Sequence, residues 1–512
     1  MDFMANTIDK LPLLSIITLA PLAAALLILL LPAKRVKAIQ GTAIGATALS
    51  LLLSVRVYAS FAGEQALKGF GWQEMLEWFP QLGINYQLGV DGISAPLVLL
   101  CGIICFTAAL LSLQISERQK EYFALALVVM SGVFGVFTAL DLFVFILFYE
   151  MASVPMFFLV GIWGSDKMGG GKPILHQKAA MKLLIYLQLG GALVMLGIFI
   201  LYVASGAQSF SYLAILSHKL PAELQYWLFP LVFLGFAIEA GLVPFHTWLP
   251  EGHSSAPTAL SMMLAGVLLK MGGYGIIRLA VGLCPDGAKV WLPVVGILAV
   301  INILYGALCA LKQTDIKLMI AYSSVSHMGV VFLGTACLTA PSVGTSAILG
   351  VTGAVFQMFS HGIITALLFA LAGTVYLITH SRDFSAWGGL ASAMPWIGTA
   401  YVLAAMGSLG LPGMSGFVAE LMVFLGTWQR SPVLAVLAIS ALVITATYLL
   451  RSVHYGFFGP LNPKFTEVRD AKLSEKIPFT LLALTSLAVG FCPRLITDVT
   501  NPAIQELISH LQ

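Results

Sequence analysis

Four ionisable side chains lie inside apolar stretches that are long enough to cross a membrane: Glu150, Glu239, Lys270 and Glu420. A charge at the centre of a bilayer costs about 2.5–3.5 kcal/mol on insertion scales, so four unpaired charges would cost roughly 10–14 kcal/mol. These groups must therefore pair, become hydrated or become neutral. Carboxylates and an amine in such positions can transfer protons along a path. Fixed buried salt bridges are the alternative.

Histidines add to this pattern. His327 and His361 lie in two further apolar stretches, and His246 and His253 flank the segment around Pro250. A neutral imidazole can pass a proton between neighbours, because one ring nitrogen donates while the other accepts. Each histidine could instead be a satisfied core residue. Pro250 interrupts the spacing of the His246–His253 pair and argues against a metal site.

Further polar residues are weaker candidates for the same path. Asp141 stands nine residues before Glu150 and is either a helix cap or a point of proton uptake. Lys182 opens an apolar stretch, and Lys317 stands at a loop where it could simply be solvated. Arg451 precedes His454 by three residues, so the two share one helix face and could end a path or pair locally.

The elements that must position these groups are membrane-spanning helices of about 20 mostly apolar residues each. The aromatic and acidic segment 62–90 falls between spans and predicts an interfacial stretch. The hydropathy pattern predicts fourteen spans, at 11–31, 38–61, 92–115, 122–140, 141–163, 180–205, 224–248, 257–284, 291–311, 318–338, 346–378, 391–425, 432–459 and 477–500.

Two of the predicted spans are interrupted. The seventh carries Pro244 after Glu239, and the twelfth contains Leu411–Gly416 before Glu420. Interrupted helices at corresponding positions are typical of inverted-repeat transporters. Helices four to eight (122–284) would then match helices nine to thirteen (291–459). Two incidental proline kinks are the alternative.

The composition excludes most other classes of protein. Of the 512 residues 59% are apolar and 10% are charged, and the mean hydropathy is +0.95. We therefore expect a single all-α polytopic membrane domain over residues 1–512, and neither a cytosolic enzyme nor a nucleic-acid binder. The six cysteines show no CxxC spacing, which argues against a disulfide scaffold or an iron–sulfur site. The chain also shows no catalytic triad, flavin motif or haem-attachment motif.

The loop charges predict an orientation. Sixteen Lys and Arg residues fall in the odd-numbered loops and their edges, against seven in the tails and the even-numbered loops. By the positive-inside rule the odd-numbered loops face the cytoplasm, and both termini face the periplasmic side. The pattern is typical of a bacterial inner membrane.

Six motifs surround the candidate residues: Phe148–Met156, Val243–Pro257, Ala265–Gly275, Asp315–Gly329, Phe359–Gly362 and Leu409–Glu420. They resemble the motifs of the antiporter-like subunits of respiratory complex I, NADH-quinone oxidoreductase. The resemblance covers nearly the whole chain and is closest to the M, or chain 4, type. Glu420 favours that type, because the sister L and N types usually have lysine there, and so does the end of the chain after fourteen spans.

The resemblance implies roles for the candidate residues. Glu150 would be the fifth-helix glutamate, Lys270 the central relay and Glu420 the exit group, with His327 and His361 along the same hydrated axis. Lys182 matches a lysine at the cytoplasmic start of the sixth helix.

One position departs from the family pattern. Where the seventh helix usually has a lysine paired with the fifth-helix glutamate, this sequence has Glu239. We expect Glu150 and Glu239 to lie close together and to share a proton, since two close carboxylates cannot both ionise cheaply. Lys270 could then serve both. A half-channel that is altered, or that uses another ion, is the alternative.

The resemblance also implies partners. The chain would translocate protons, driven by quinone reduction elsewhere in the complex, beside L- and N-type subunits and a small K-type subunit. NADH, FMN, iron–sulfur clusters and quinone would belong to partner subunits, and this chain would hold no cofactor. Similar motifs occur in membrane-bound hydrogenases, formate hydrogenlyase and multisubunit Na+/H+ antiporters, which leaves those functions open. An interaction scaffold with a dead channel is a further alternative, against which the four buried charges argue.

Overall fold

The computed structural model describes residues 11–62, 69–166, 175–338 and 344–511. Within these ranges the chain is helical except for one β-hairpin and short connections. Lys10, Lys68, Lys167 and Lys172, which contributed to the charge asymmetry of the loops, lie outside the described residues.

The helices in the first half of the described chain surround the first interrupted segment. They are α1 (Leu13–Leu30), α2 (Val36–Ala59), α3 (Ser94–Leu111), α4 (Gln119–Thr138), α5 (Leu142–Trp163), α6 (His176–Ser205), α7 (Tyr212–Leu216), α8 (Ala222–Glu239), α9 (Trp248–Ser255) and α10 (Thr258–Val281).

The helices in the second half surround the second interrupted segment. They are α11 (Pro285–Leu311), α12 (Ile316–Ala336), α13 (Thr345–Thr379), α14 (Leu390–Ala393), α15 (Pro395–Leu409), α16 (Ser415–Arg430), α17 (Pro432–Phe457), α18 (Leu473–Phe491) and α19 (Arg494–Leu511).

The architecture is that of a polytopic membrane protein. Within the described ranges twelve helices are long and apolar enough to cross a membrane. Helix α8 and the pair α15 and α16 occupy the positions of the seventh and twelfth predicted spans but are not among these twelve. The expected all-α membrane fold is confirmed, and the count of fourteen spans stays a prediction.

The seventh predicted span, 224–248, contains one helix followed by an irregular stretch, and a second, short helix begins only at its last residue. Helix α8 ends at Glu239 and α9 begins at Trp248. Gly241 has a φ of +80°, which a residue with a Cβ adopts only at a cost, so a glycine is needed where the chain turns. Two side chains satisfy the freed backbone groups: Asn302 Oδ1 accepts from Val243 N at 2.7 Å, and Trp248 Nε1 donates to the Ile238 carbonyl at 3.0 Å.

The twelfth predicted span is divided in the same way. Helix α15 ends at Leu409 and α16 begins at Ser415. Gly410 and Gly413 have φ values of +77° and +94°. Both interruptions therefore place an ionisable residue, Glu239 or Glu420, close to a helix end.

Helix α10 is irregular around its lysine. Leu264–Leu268 and Ile276–Val281 are π-helical, and Lys270 lies in the α-helical turns between them. Such π segments occur mostly at functional sites, because the extra residue shifts the direction of the side chains around it. Lys270 itself is fully buried.

The segment predicted as interfacial folds as a hairpin that the sequence analysis missed. Strands β1 (Gly71–Phe79) and β2 (Ile84–Val90) pair antiparallel. The carboxylate of Glu74 on β1 accepts from the backbone amides of Leu14 at 2.7 Å and Ser15 at 3.0 Å. The hairpin thus satisfies the free amides at the start of α1, as a helix cap does.

The last predicted span, 477–500, ends too late. Helix α18 ends at Phe491, and α19 begins at Arg494. Cys492 leaves the helical conformation, with φ −121° and ψ 71°, because the following Pro493 disfavours the α region for the residue before it. Helix α19 is amphipathic and buries one apolar stripe, which is why its hydropathy resembled the end of a span.

Candidate functional site

Lys270 and His361 form the centre of the site. The lysine Nζ lies 2.7 Å from His361 Nδ1 and also donates to the carbonyl of Ala265. Both side chains are buried. Since a lysine ammonium only donates, it can hand a proton to the imidazole nitrogen that accepts its hydrogen bond.

His327 continues the row towards Glu420. The rings of His361 and His327 are 5.4 Å apart at their centroids, and His327 Nδ1 lies 3.2 Å from Glu420 Oε1. The other ring nitrogen, Nε2, lies 3.2 Å from Ser408 Oγ. The imidazole of His327 therefore lies between the hydroxyl of Ser408 and the carboxylate of Glu420, within hydrogen-bonding distance of both.

The Nδ1 atom of His327 faces both an acceptor and a donor. It can donate to the carboxylate of Glu420, or it can accept from Gln357 Nε2 at 3.3 Å. The first contact requires a proton on Nδ1 and the second requires a lone pair there. Both protonation states of this nitrogen thus have a partner in place, which suits a group through which protons pass.

The break between α15 and α16 makes room for Glu420. A Cβ added to Gly410 would lie 3.0 Å from Glu420 Oε2. Glycine at this point therefore serves both the turn of the backbone and the approach of the carboxylate. Four of the predicted residues, from α10, α12, α13 and α16, are brought into one buried row: Lys270, His361, His327 and Glu420.

Glu150 and Glu239 form a second, separate group. Gln188 Nε2 donates to Glu150 Oε2 at 2.6 Å. Glu239, the last residue of α8, is fully buried, and neither carboxylate oxygen has a hydrogen-bond partner among the described residues. Its carboxylate lies beside the Tyr149 hydroxyl and interacts electrostatically with Glu150. Glu150 on α5 and Glu239 on α8 thus influence each other's charge, and the shared proton stays a prediction.

Lys270 does not bridge the two glutamates. Its hydrogen bonds are to His361 and to the Ala265 carbonyl. The expectation that Lys270 serves both carboxylates is therefore wrong for this conformation. The amine belongs to the histidine row, because α10 packs that side chain towards α13.

Lys317 and His253 lie on the side of the site near α9. Lys317 is buried and donates from Nζ to the Ala256 carbonyl at 2.9 Å, so the solvated alternative is wrong. The ring of His253 stacks on Phe369 at 4.6 Å, and neither of its nitrogens has a partner within the described part of the chain. Its electrostatic neighbours are Lys317 and Lys270.

Lys182 and His246 mark the opening of this side. Lys182 Nζ pairs with Glu251 Oε1 at 2.8 Å, and both side chains are about one-third exposed. The ring of His246 packs edge-on against Tyr305 at 5.0 Å. The Lys182–Glu251 pair is thus partly exposed, and Glu251 on α9 places it next to the break between α8 and α9.

Asp141 and Arg451 have structural partners. Asp141 caps α5 by accepting from the amides of Phe143 at 2.9 Å and Val144 at 3.1 Å, and burial raises the pKa of this carboxyl. Arg451 donates to the Gln313 carbonyl at 2.5 Å. The capping alternative for Asp141 is therefore the one observed.

Sequence reasoning missed the neutral members of the site. Gln188, Gln357 and Ser408 each contact a predicted residue. The sequence analysis selected ionisable residues within apolar spans and therefore did not include these three, since neutral side chains cost less to bury. The position of amide side chains within apolar spans was the sequence signal that could have identified Gln188 and Gln357. Among the described residues no group of three or more His, Cys, Asp or Glu side chains could hold a metal ion.

The comparisons with known proteins show the family of the chain. The family model described as "NADH:quinone oxidoreductase/Mrp antiporter, TM" matches residues 139–445. NAD(P)H-quinone oxidoreductase chain 4 1 from Synechococcus sp. (strain JA-2-3B'a(2-13)) is 38% identical, over 98% of this chain and 94% of the relative. The chain belongs to the subunit M/chain 4 family of NADH-quinone oxidoreductases.

Two further relatives support the assignment. NADH-quinone oxidoreductase subunit M from Escherichia coli (strain K12) is 38% identical over 85% of both chains. A chain of respiratory complex I from Thermus thermophilus superposes with a TM-score of 0.86 at 27% identity, covering 98% of this chain and 100% of that one. The resemblance of the motifs to the M type is thus confirmed over nearly the whole sequence.

Proposed function

We propose that this chain translocates protons as a membrane-arm subunit of a bacterial NADH-quinone oxidoreductase, driven by quinone reduction in partner subunits. The observation that carries the proposal is the buried row Lys270–His361–His327–Glu420, in which each group lies next to the following one. Membership of the subunit M/chain 4 family supports the assignment to a multisubunit complex.

The row suggests the order of proton transfer. Lys270 passes a proton to His361, the imidazoles carry it to His327, and Glu420 releases it towards the outer side. Lys270 is refilled from the side of His253 and Lys317, which the exposed Lys182–Glu251 pair connects to the cytoplasm. Glu150 and Glu239 form a second titrating group. In this group Glu239 carries a proton, although its ionised form has the opposite charge to the lysine that the family usually has at this position.

The assembly follows from the same proposal. The chain sits beside L- and N-type antiporter-like subunits and a K-type small subunit, with both termini on the periplasmic side. NADH, FMN, iron–sulfur clusters and quinone belong to other subunits, and this chain works without a redox centre. Residues 122–284 and 291–459 form the two inverted repeats, and each interrupted helix brings a glutamate to its break.

The test is the exchange of the central amine in the whole complex, Lys270→Met, after reconstitution into liposomes. Since proton-transfer groups contribute factors of about 10²–10⁴, we expect proton uptake through this chain to fall to a small fraction. Lys289→Met is the matched control, because Lys289 is 42% exposed and pairs only at the surface with Asp286. Equal proton uptake per quinone reduced in both variants would contradict the proposal.

Mass spectrometry of the complex, purified in mild detergent, tests the partners. Co-purifying flavin- and iron–sulfur-bearing NADH dehydrogenase chains are the expected result. A nickel–iron hydrogenase, or antiporter chains alone, would assign the same proton row to a different driving reaction.

A further inference from the structure

Two buried cations lie at the end of the molecule that is predicted to face the cytoplasm. Lys317 lies in the first turn of α12 and Arg382 follows α13, and the two residues are only 2% and 4% exposed. Lys317 Nζ donates to the Ala256 carbonyl at 2.9 Å, and Arg382 Nη1 donates to the Ser254 carbonyl at 2.7 Å. The two cations therefore bind the carbonyls on either side of Ser255, at the connection between α9 and α10.

The acidic residues beside these cations in the sequence bind backbone amides. Asp315 Oδ1 accepts from two amides in the first turn of α12, and Asp383 Oδ1 accepts from an amide two residues later. The cations themselves contact carbonyl oxygens and, for Arg382, the ring of Tyr376 at 4.6 Å. A carbonyl is a dipole and does not cancel a full positive charge, which is expensive in a buried position.

Both cations line one cavity of about 180 Å³, together with Ser255 and the first residues of α10. None of the described residues that line this cavity is acidic. The volume is below that of the pockets that hold drug-sized molecules, about 300–1,000 Å³. A ligand in this cavity must therefore be small.

The polar groups around the cavity that still lack partners are donors. Arg382 Nε and Ser255 Oγ are buried and have no partner among the described residues. A guanidinium has five N–H donors and an ammonium has three, and neither has an acceptor, so both cations keep donors beyond their carbonyl contacts.

The backbone adds positive potential at the same cavity. Helix α10 begins at Thr258, which lines the cavity, and no side chain caps this end. A helix N-terminus carries the equivalent of roughly half a positive charge and favours anions. Two cations, unpartnered donors and a helix N-terminus around one cavity select a ligand that is negative and accepts hydrogen bonds.

We propose that Lys317, Arg382, Ser255 and the start of α10 form a binding site for a small monovalent anion, with chloride as the first ion to test. One negative charge in the cavity would offset one of the two buried positive charges and accept hydrogen bonds from their remaining donors. The site goes beyond the proposed proton translocation and does not depend on it, because anion binding can be measured whether or not the chain pumps.

Calorimetric titration of the purified complex in gluconate buffer tests the site, with chloride and nitrate titrated separately. We compare the unaltered complex with Arg382→Gln, which keeps a polar side chain but removes its charge. We expect anion binding to weaken by about tenfold or more, the equivalent of about 1.4 kcal/mol. Arg35→Gln is the matched control, because Arg35 is exposed in a loop predicted to face the same side and does not line the cavity.

Two milder variants separate the loss of the site from a failure to fold. Arg382→Lys keeps the positive charge and should bind the anion more tightly than Arg382→Gln. Ser255→Ala removes one donor without changing any charge and should weaken binding to a smaller degree than Arg382→Gln.

A cavity that holds only water would show no binding of chloride or nitrate that depends on Arg382, and this result would overturn the inference. If the complex with Arg382→Gln does not assemble, Ser255→Ala decides, and unchanged anion binding in that variant would overturn the inference as well. Proton uptake that depends on Lys270 in chloride-free buffer would leave the proposed function standing in either case.

Discussion

At the scale of single residues, the arrangement separates two kinds of buried ionisable group. Lys270 contacts His361, the rings of His361 and His327 are 5.4 Å apart at their centroids, and His327 contacts Glu420. Neither carboxylate oxygen of Glu239 has a hydrogen-bond partner among the described residues. The two buried glutamates Glu420 and Glu239 therefore lie in different surroundings, one within the row and one outside it.

Glu420→Gln isolates the proton-carrying role of the carboxylate. The glutamine keeps an oxygen that can accept from His327, so we expect normal assembly and thermal stability. Proton uptake should fall strongly, because an amide cannot release a proton. Proton uptake by reconstituted liposomes and the melting temperature give the two readouts, with exposed Glu467→Gln as control. Unchanged proton uptake would remove Glu420 from the path.

At the scale of elements, the two interrupted helices and the π segments of α10 place the functional groups. The interruptions put Glu239 at the last residue of α8 and Glu420 in the second turn of α16. The broken backbone must be satisfied by neighbours, and for α8 this is done by Asn302 and Trp248. The stability of each break therefore depends on other helices.

Asn302→Leu tests that dependence. Asn302 is fully buried on α11 and accepts from Val243 N, so its loss leaves a buried amide unpaired, at about 1–3 kcal/mol. We expect a lower melting temperature and weaker proton uptake, since the break holds Glu239.

Ser326→Ala is the comparison for Asn302→Leu. Asn302 Nδ2 also donates to the Val325 carbonyl and so joins α11 to α12. Ser326 Oγ donates to the Ile303 carbonyl between these two helices, but its removal leaves no amide unpaired. An equal loss of stability in both variants would show that the helix contact matters rather than the break.

At the scale of the whole molecule, the arrangement of the helices should have a fixed direction in the membrane. The end of α18 is predicted to face the periplasm, and Cys492 is exposed there. Four other cysteines are buried and Cys309 is half-buried. Cys492 thus offers a natural probe of the orientation.

A membrane-impermeant maleimide should label Cys492 in cells with a permeabilised outer membrane and should fail to do so in inverted inner-membrane vesicles. Cys492→Ser removes the signal that belongs to this site. Labelling in inverted vesicles alone would reverse the predicted orientation of the chain.

The sequence by itself determined the membrane class, the positions of most helices and the identity of the charged candidates. These features depend on local composition, because roughly 20 apolar residues and an expensive charge are visible one segment at a time. The hairpin at Gly71–Phe79 and Ile84–Val90 and the end of α18 were missed or misplaced, since aromatic residues and an amphipathic stripe do not distinguish these structures in one sequence.

Only the tertiary structure decided which buried groups meet. It paired Lys270 with His361 rather than with the glutamates, brought Gln188 to Glu150, and buried Lys317 against the Ala256 carbonyl. These contacts join residues far apart in the chain, and their geometry depends on how whole helices pack and where they break. Periodicity and hydropathy describe one segment of the sequence at a time, so they contain no information about that packing.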